Sequence, residues 1–258
     1  MNKKTLTAAG SLLAAFLASN AALAGDNDVY STSVDGEVNF GKGAADLSLN
    51  ATTALSGDID KDGVVFRAEG TLSIYLYNDI PTNIDATQWE GSALVGYQIV
   101  RDAISYAAYA GVDYQSFSLT PPDLSDPARG DRAGAKFVVD IETDREKSFY
   151  ANLLGDYSTA FDTYFVRGRL GWKPGTGEVS NRIAVGPEVS AFGNLAFNAQ
   201  RAGAFVYLPV QYDKHALGYL IAAAGYQWVQ GVGGEAATPP ATGGAEGAYA
   251  TLSFSVSF

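Results

Sequence analysis

Apolar and polar residues alternate with a period of two along most of the chain. Between residues 64 and 76 the even positions are apolar or small, while the odd positions include Arg67, Glu69 and Ser73. Successive side chains of a β-strand point to opposite faces, so the alternation predicts strands with one apolar and one polar face. Twelve segments follow it: 29–40, 44–55, 64–77, 88–99, 104–118, 132–142, 148–157, 163–173, 180–191, 199–210, 215–229 and 246–258.

The lengths of the segments and of their connections suit a membrane. A tilted strand needs about 9–11 residues to cross a bilayer, and most segments are that long. The predicted connections after the third, fifth and eleventh segments are long, whereas those after the fourth, sixth, eighth and tenth are short. This asymmetry is typical of bacterial outer-membrane barrels and, with an even strand number, leaves both termini in the periplasm. Pro187 and Pro209 lack a ladder N–H and predict bulges or strand ends.

A soluble β-sandwich or lipocalin-like barrel is the alternative, with the apolar face turned inward. Two features favour a membrane barrel. Charged residues such as Arg67, Lys136 and Asp140 lie in mid-strand and suit a polar lumen, and the final residue, Phe258, lies on the apolar face. Outer-membrane barrels end in a similar aromatic residue. We therefore predict an all-β, transmembrane, antiparallel up-and-down β-barrel of 12 strands, with Phe258 as the assembly signal for the barrel-assembly machinery.

The first 24 residues differ from the rest of the chain. Lys3 and Lys4 precede an apolar run at 8–17, and Ala22-Leu23-Ala24 forms a small-x-small cleavage site. This arrangement is typical of a secretory signal peptide, and the run is too short for a membrane helix. We predict a signal peptide at 1–24 and a barrel at 25–258, surrounded by lipid in the outer membrane of a Gram-negative bacterium.

Composition narrows the possible functions. Hydrophobic residues make up 47% of the chain, yet no apolar stretch after residue 24 could form a membrane helix. Lys plus Arg number 17 and Asp plus Glu 28, so removal of Lys3 and Lys4 leaves a net charge of 15 − 28 = −13. The acidic balance excludes a nucleic-acid partner. The absence of Cys excludes disulfide scaffolds, thiol catalysis and thiolate metal sites.

Candidate catalytic groups are sparse. The one histidine, His215, lies at the start of the eleventh segment, next to a turn, without a clear nucleophile around it, which disfavours an outer-membrane lipid hydrolase. Inward carboxylates could approach one another as in glycosidases, but barrel interiors often contain such charges. The acidic stretch at 56–63 lacks the distal Glu of a calcium loop. We predict no enzyme activity, no cofactor and no metal.

Charged residues of the polar face fall into two groups. The basic group is Arg167, Arg169, Arg182 and Arg201, with Glu188 among them. The acidic group, on the third to sixth segments, is Glu69, Glu90, Asp113 and Asp140. Because consecutive segments pair as neighbours, we predict a basic wall of the lumen facing an acidic one. The basic wall either guides an anionic or hydroxyl-rich solute or pairs with the acids as a brace, since unpaired buried charge is costly.

Aromatic residues occupy both predicted faces. Those on the outward face near segment ends predict an interfacial girdle: Trp89, Tyr97, Tyr157, Tyr164, Trp172, Tyr226 and Trp228. Those on the inward face are Tyr109, Phe205, Tyr207 and Tyr249. The inward group either offers stacking faces to sugar rings or fills the lumen.

Several local strings resemble the BcsS family of cellulose-biosynthesis proteins of Gram-negative bacteria. They include Ala110-Gly-Val-Asp-Tyr-Gln115, Tyr157-Ser-Thr-Ala-Phe-Asp-Thr-Tyr164 and Gly186-Pro-Glu-Val189, and the resemblance runs from about residue 63 to the end. It implies a non-enzymatic outer-membrane conduit or scaffold for cellulose secretion, with cellulose or secretion components as partners. The alternative is a small general or oligosaccharide-selective channel. The resemblance supplies no catalytic residues.

Overall fold

The computed structural model describes residues 30–79, 82–124, 126–144, 146–213, 216–231 and 245–258. The predicted signal peptide and His215 lie outside these ranges. The described ranges contain twelve strands: β1 (Thr32–Lys42), β2 (Ala44–Ala54), β3 (Gly63–Asp79), β4 (Thr82–Arg101), β5 (Ile104–Thr120), β6 (Gly130–Thr143), β7 (Phe149–Ser158), β8 (Thr163–Trp172), β9 (Ala184–Gly193), β10 (Phe197–Asp213), β11 (Ala216–Gly231) and β12 (Ala245–Ser257). Over the described ranges, no helix has the length and hydropathy to cross a membrane.

The strands form one closed antiparallel barrel in which each pairs with its neighbours in sequence and β12 pairs with β1. The closing ladder runs from Ser33↔Ser257 to Gly41↔Tyr249. Beyond it, the Phe258 N–H donates to the Thr32 carbonyl at 2.9 Å. The predicted fold class, a 12-stranded up-and-down barrel, is confirmed. We call the end that carries both termini the terminal end, and the other the opposite end.

The outer face of the barrel is apolar and exposed, as the alternation predicts. Phe66, Val112 and Leu170 have exposed fractions of 48%, 67% and 58%. Most of the exposed aromatic side chains lie towards the two ends: Tyr97, Tyr106, Phe149 and Trp172 at the terminal end, and Phe40, Trp89, Tyr114, Tyr157, Tyr226 and Trp228 towards the opposite end. Tyr164 differs, because it is half-buried and bonded to Asn198 at 2.8 Å. Such an outer face matches a hydrocarbon layer between two interfaces.

Two predicted connections are wrong. The long loop expected at 78–86 is replaced by strand, because the β3–β4 ladder continues to Asp79↔Thr82. Inward Tyr75, Ile84 and Ala86 are buried together there, which extends both strands. The short connection expected after β8 instead spans 173–183 and contains a 3₁₀ turn at Val179–Asn181.

The two prolines disturb the ladders only locally. Pro187 pairs in register with Ala204, but pairing between β8 and β9 is interrupted between Arg169↔Glu188 and Trp172↔Val185. Pro209 is also in register, and the β10–β11 ladder shifts further along, between Gln211 and Asp213.

Most of the buried apolar side chains lie inside the barrel, in its terminal half. They form two clusters on opposite sides of the lumen. One contains Ala54, Val65, Leu94, Ala107, Tyr109 and Val138, and the other Tyr150, Ala184, Phe205, Tyr207, Ile221 and Ala223. At the opposite end, the β5–β6 connection packs on neighbouring turns through Phe117, Ala128, Ala160 and Phe161. Polar side chains are thus concentrated at mid-height.

Candidate functional site in the barrel lumen

A cavity of about 670 Å³ occupies the lumen. Its lining residues run from Ser33, Asp144 and Ser257 at the terminal end to Ala44 and Asn194 at the opposite end. The cavity therefore extends along the barrel axis. Its volume lies within the range of about 300–1,000 Å³ that is typical of small-molecule sites.

One network of ion pairs lies on β3, β4 and β6. Arg67 contacts Glu69 at 2.8 Å and Asp140 at 3.2 Å, and Lys136 contacts Glu69 at 2.8 Å and Glu90 at 2.5 Å. The Arg67 and Lys136 side chains are almost fully buried. Pairing of this kind offsets the cost of removing charges from water. Arg67 and Lys136 lie within the predicted acidic group, so Glu69, Glu90 and Asp140 are paired with cations on their own side of the lumen.

Asp113 lies beside this network in a neutral environment. Its carboxylate is buried and accepts hydrogen bonds from Gln115 Nε2 at 2.9 Å, from Ser92 Oγ at 3.5 Å and from Ser158 Oγ. These hydroxyl and amide donors supply the hydrogen bonds that a buried carboxylate requires.

A second network joins β8 and β9 to β1. Arg167 Nη1 pairs with Glu37 Oε2, and Arg169 Nε pairs with Glu188 Oε2 at 2.5 Å. Arg169 Nη2 is 3.9 Å from Glu37 Oε2. Glu188 also accepts a hydrogen bond from Tyr249 Oη at 2.9 Å. Arg167 and Arg169 thus pair with acids on β1 and β9. The predicted brace instead paired them with the acids on β3–β6.

Arg201 continues the basic wall on β10. Its Nε donates to Gln227 at 2.7 Å and its Nη1 donates to Asn39 at 3.2 Å. Arg182, predicted for the same wall, does not belong to it. β9 begins only at Ala184, so Arg182 lies in the exposed connection and donates to the Gly177 carbonyl at 3.1 Å. The predicted inward parity of Arg182 is wrong because its segment is not strand.

Carboxylates predominate in the lumen. The described residues that line the cavity include eleven carboxylates and five cations, an excess of 11 − 5 = 6 acids. A fixed field of one sign attracts counter-ions and repels co-ions. The lumen therefore disfavours anionic solutes, contrary to one interpretation of the basic wall.

Glu142 is one of these lumen carboxylates and lies in the terminal half of the barrel. It accepts hydrogen bonds from Tyr150 Oη on β7 at 2.9 Å and from Tyr219 Oη on β11 at 3.5 Å. Tyr150 stacks on Tyr207 with ring centroids 4.7 Å apart. Phe205 and Tyr207 are about 2% exposed, so these inward aromatics fill lumen volume rather than offer free faces.

A second aromatic group, which the sequence interpretation missed, lines the opposite end of the cavity. Phe165, Phe192 and Phe197 lie on β8, β9 and β10, and their successive ring centroids are 6.4 and 6.0 Å apart. The Arg201 guanidinium lies 4.5 Å from the centre of the Phe192 ring. Phe165 and Phe192 are only half-buried, so part of each ring remains accessible.

The turn between β2 and β3 lines the cavity at its terminal end. Ile59 packs against the inner apolar cluster, and its N–H donates to the Tyr30 carbonyl at 2.7 Å. Burial and the neighbouring carboxylates of Asp144 and Asp58 raise the pKa of Asp60. The Arg101 guanidinium and the Val100 N–H lower the pKa of Asp62.

The described residues contain no group of three or more His, Cys, Asp or Glu positioned to hold a metal ion. Each network instead mixes carboxylates with Arg, Lys or Tyr donors. Such mixed donors and acceptors suit a ligand that hydrogen-bonds in both directions.

Comparison with known proteins assigns the family. The model of the family described as "Cellulose biosynthesis protein BcsS" matches residues 48–258. The chain belongs to the BcsS family. The match covers most of β2 and all later strands, whereas Glu37 and Asn39, which pair with the lumen arginines, precede it.

Solved barrels share low identity with this BcsS-family chain. The KdgM porin in complex with disordered oligogalacturonate is 10% identical, with a TM-score of 0.40, and the alignment covers 88% of this chain and 99% of that one. BamA from Haemophilus ducreyi lacking POTRA domains 1–3 is 9% identical, with a TM-score of 0.39 and coverages of 89% and 70%. Pseudomonas putida OprB at low pH is 10% identical, with a TM-score of 0.28 and coverages of 89% and 92%. No curated protein matches the chain.

Proposed function

We propose that this BcsS-family barrel is a non-enzymatic outer-membrane conduit in bacterial cellulose production. Family membership supports the link to cellulose biosynthesis. The closed barrel with an exposed apolar outer face supports a location in outer-membrane lipid. The observation that carries the conduit is the cavity, whose lining extends from the terminal to the opposite end.

The size of the cavity limits what the conduit carries. Its volume of about 670 Å³ lies within the range of about 300–1,000 Å³ that is typical of sites for small molecules. The conduit would therefore handle a short glucan or one chain at a time.

A scaffold for the secretion components is the second candidate. The Arg167–Glu37 pair favours it, because this pair crosses the lumen between β8 and β1 and obstructs part of the section. A scaffold needs only the outer surface and the loops, so its function would not depend on the free section of the lumen.

Complementation of a deletion strain tests the conduit. The strain receives the wild type, Asn50→Trp or Leu47→Trp. Asn50 lines the cavity, whereas Leu47 belongs to the outward face of the same strand. If the barrel is a conduit, the wild type and Leu47→Trp restore cellulose output and Asn50→Trp does not. Heat-modifiable migration on a gel checks that all three proteins are folded.

The other outcomes are also decisive. Equal restoration by all three proteins would favour the scaffold and reject the conduit. Unchanged cellulose in the deletion strain, with altered uptake of small solutes, would instead indicate a channel unrelated to polymer export.

A further inference from the structure

The opposite mouth of the lumen presents a continuous aromatic surface. Phe165, Phe192 and Phe197 face inward on three consecutive strands and line the cavity. We call these three residues the aromatic patch. Aromatic side chains with accessible faces in a concave site bind the apolar faces of ligands. Sugar rings have such faces, because their C–H groups project above and below the ring.

Hydrogen-bonding groups lie directly below the aromatic patch on the same strands. Arg167 and Arg169 follow Phe165 along β8, and Glu188 precedes Phe192 on β9. These side chains donate and accept hydrogen bonds within a few residues of the rings. A ligand seated on the patch would therefore meet both kinds of group, as sugar hydroxyls require.

Some of these groups retain unused hydrogen-bonding capacity. Arg167 Nε, Arg169 Nη2 and Asn152 Oδ1 are buried without a hydrogen-bond partner among the described residues. All three residues line the cavity, and Arg169 and Asn152 are more than nine-tenths buried. Buried polar atoms are usually satisfied, so unsatisfied atoms beside a cavity indicate a place for ligand hydroxyls or water.

The charge of the lumen selects against acidic saccharides. Its lining has eleven carboxylates against five cations, and the arginines beneath the patch are already paired with Glu37 and Glu188. An anionic sugar would enter a field of its own sign. A neutral saccharide avoids this repulsion while its hydroxyls still use the carboxylates as acceptors.

We infer that the inner face of β7–β10 is a binding site for a neutral gluco-oligosaccharide that enters from the opposite end. Its rings stack on the aromatic patch, and its hydroxyls bond to Arg167, Arg169 and Asn152. The choice of a glucan rests on the proposed function. The choice of a neutral, hydroxyl-rich ligand rests on the lumen alone.

Equilibrium dialysis of the folded, detergent-solubilised protein against cellohexaose tests the inference. We expect saturable binding by the wild type and about tenfold weaker binding by Phe192→Ala. Phe165→Leu removes a ring but keeps most of its volume, and should weaken binding similarly. The matched control is Phe137→Ala, because Phe137 is 52% exposed on the outer face of β6, and it should bind as the wild type does.

Three results would overturn the inference: no binding to folded wild type, equal losses in Phe137→Ala and Phe192→Ala, or equal binding of hexagalacturonate. The fate of the proposed function is decided separately by complementation. Cellohexaose binding in a protein whose deletion leaves cellulose unchanged would support the site while rejecting the conduit in cellulose production.

Discussion

Arg167 on β8 pairs with Glu37 on β1 although four strands of the barrel wall, β9 to β12, separate them. The two side chains therefore meet across the lumen, whereas most pairs in a barrel join neighbouring strands. Arg169 and Ser253 also approach Glu37, at 3.9 and 2.8 Å, so one carboxylate connects three parts of the wall. A barrel braced in this way keeps a defined cross-section.

Removing this carboxylate should strongly destabilise the barrel. Glu37→Gln leaves the Arg167 charge buried without its counter-ion, and loss of one partner of a buried pair costs about 3–5 kcal/mol of unfolding free energy. Urea unfolding in lipid vesicles measures the change. The double variant Glu37→Gln/Arg167→Met should lose less than the sum of the single changes, and strict additivity would contradict the coupling.

The two faces of β3 should respond differently to the same substitution. Leu72→Arg places a charge on the lipid face and should cost about 2–4 kcal/mol at mid-height. Ser73→Arg places the same charge in the lumen, where Ser73 lines the acidic cavity, and should be far milder. Unfolding midpoints in vesicles compare them. Equal losses would show that the assigned faces are wrong.

Phe258 should matter more for assembly than for stability. Its backbone closes the barrel against Ser31 and Thr32, so Phe258→Ala, unlike a deletion, preserves these hydrogen bonds. Loss of the ring should cost about 1.5–3 kcal/mol in burial terms. If Phe258 is the assembly signal, the amount of Phe258→Ala protein in the outer membrane should be much lower than the amount of a lipid-face variant that loses the same stability. Equal amounts would reject this role.

The acidic lumen should conduct cations in preference to anions. In planar bilayers under a KCl gradient, the reversal potential should have the sign of a K⁺-selective pore. Asp46→Asn should reduce it, because Asp46 lines the cavity. Asp62→Asn is the control, since Asp62 pairs with Arg101 at 2.7 Å and does not line the cavity. An anion-selective wild type would contradict the charge balance.

The β2–β3 turn should give two opposite pH effects. The pKa of Asp60 is raised by burial and by the nearby carboxylates, so its ionised form destabilises the fold at neutral pH. Asp60→Asn should therefore be more stable than the wild type at pH 7, and the advantage should vanish as pH falls through that pKa.

Asp62→Asn should have the opposite effect on stability. The pKa of Asp62 is lowered by Arg101 and the Val100 N–H, so its stabilising effect is present at pH 7 and is lost on acidification. Urea midpoints of Asp60→Asn and Asp62→Asn, each compared with the wild type from pH 7 down to well below the ordinary Asp pKa of 3.8, separate the two effects. Parallel pH profiles would contradict both assignments.

Much of the fold follows from local alternation, because the choice of inward and outward faces depends only on parity along each strand. Phe66 and Leu170 could be placed outside, and Arg67 and Arg169 inside, without knowledge of the pairing. Strand ends depend on partners distant in sequence. β4 extends to Thr82 because Ile84 and Ala86 pack beside Tyr75, and the same alternation around Arg182 does not form strand.

The lumen contacts were harder to predict, because parity does not give the height of a residue in the barrel. Alternation places Glu37 on the polar face of the first segment, yet its pairing with Arg167 depends on barrel closure and strand register. The aromatic patch could be recognised as a group only after β8, β9 and β10 had been aligned. Composition gave the acidic excess but not its concentration around the cavity.

The seam between β1 and β12 joins parts of the chain that are far apart in sequence. Ser253 donates a hydrogen bond to Glu37 across 216 residues. Contacts this distant in sequence form slowly. Until they form, β1 and β12 expose unpaired edges that can recruit other chains. Closure of the barrel therefore competes with association between copies of the chain until β12 has paired with β1.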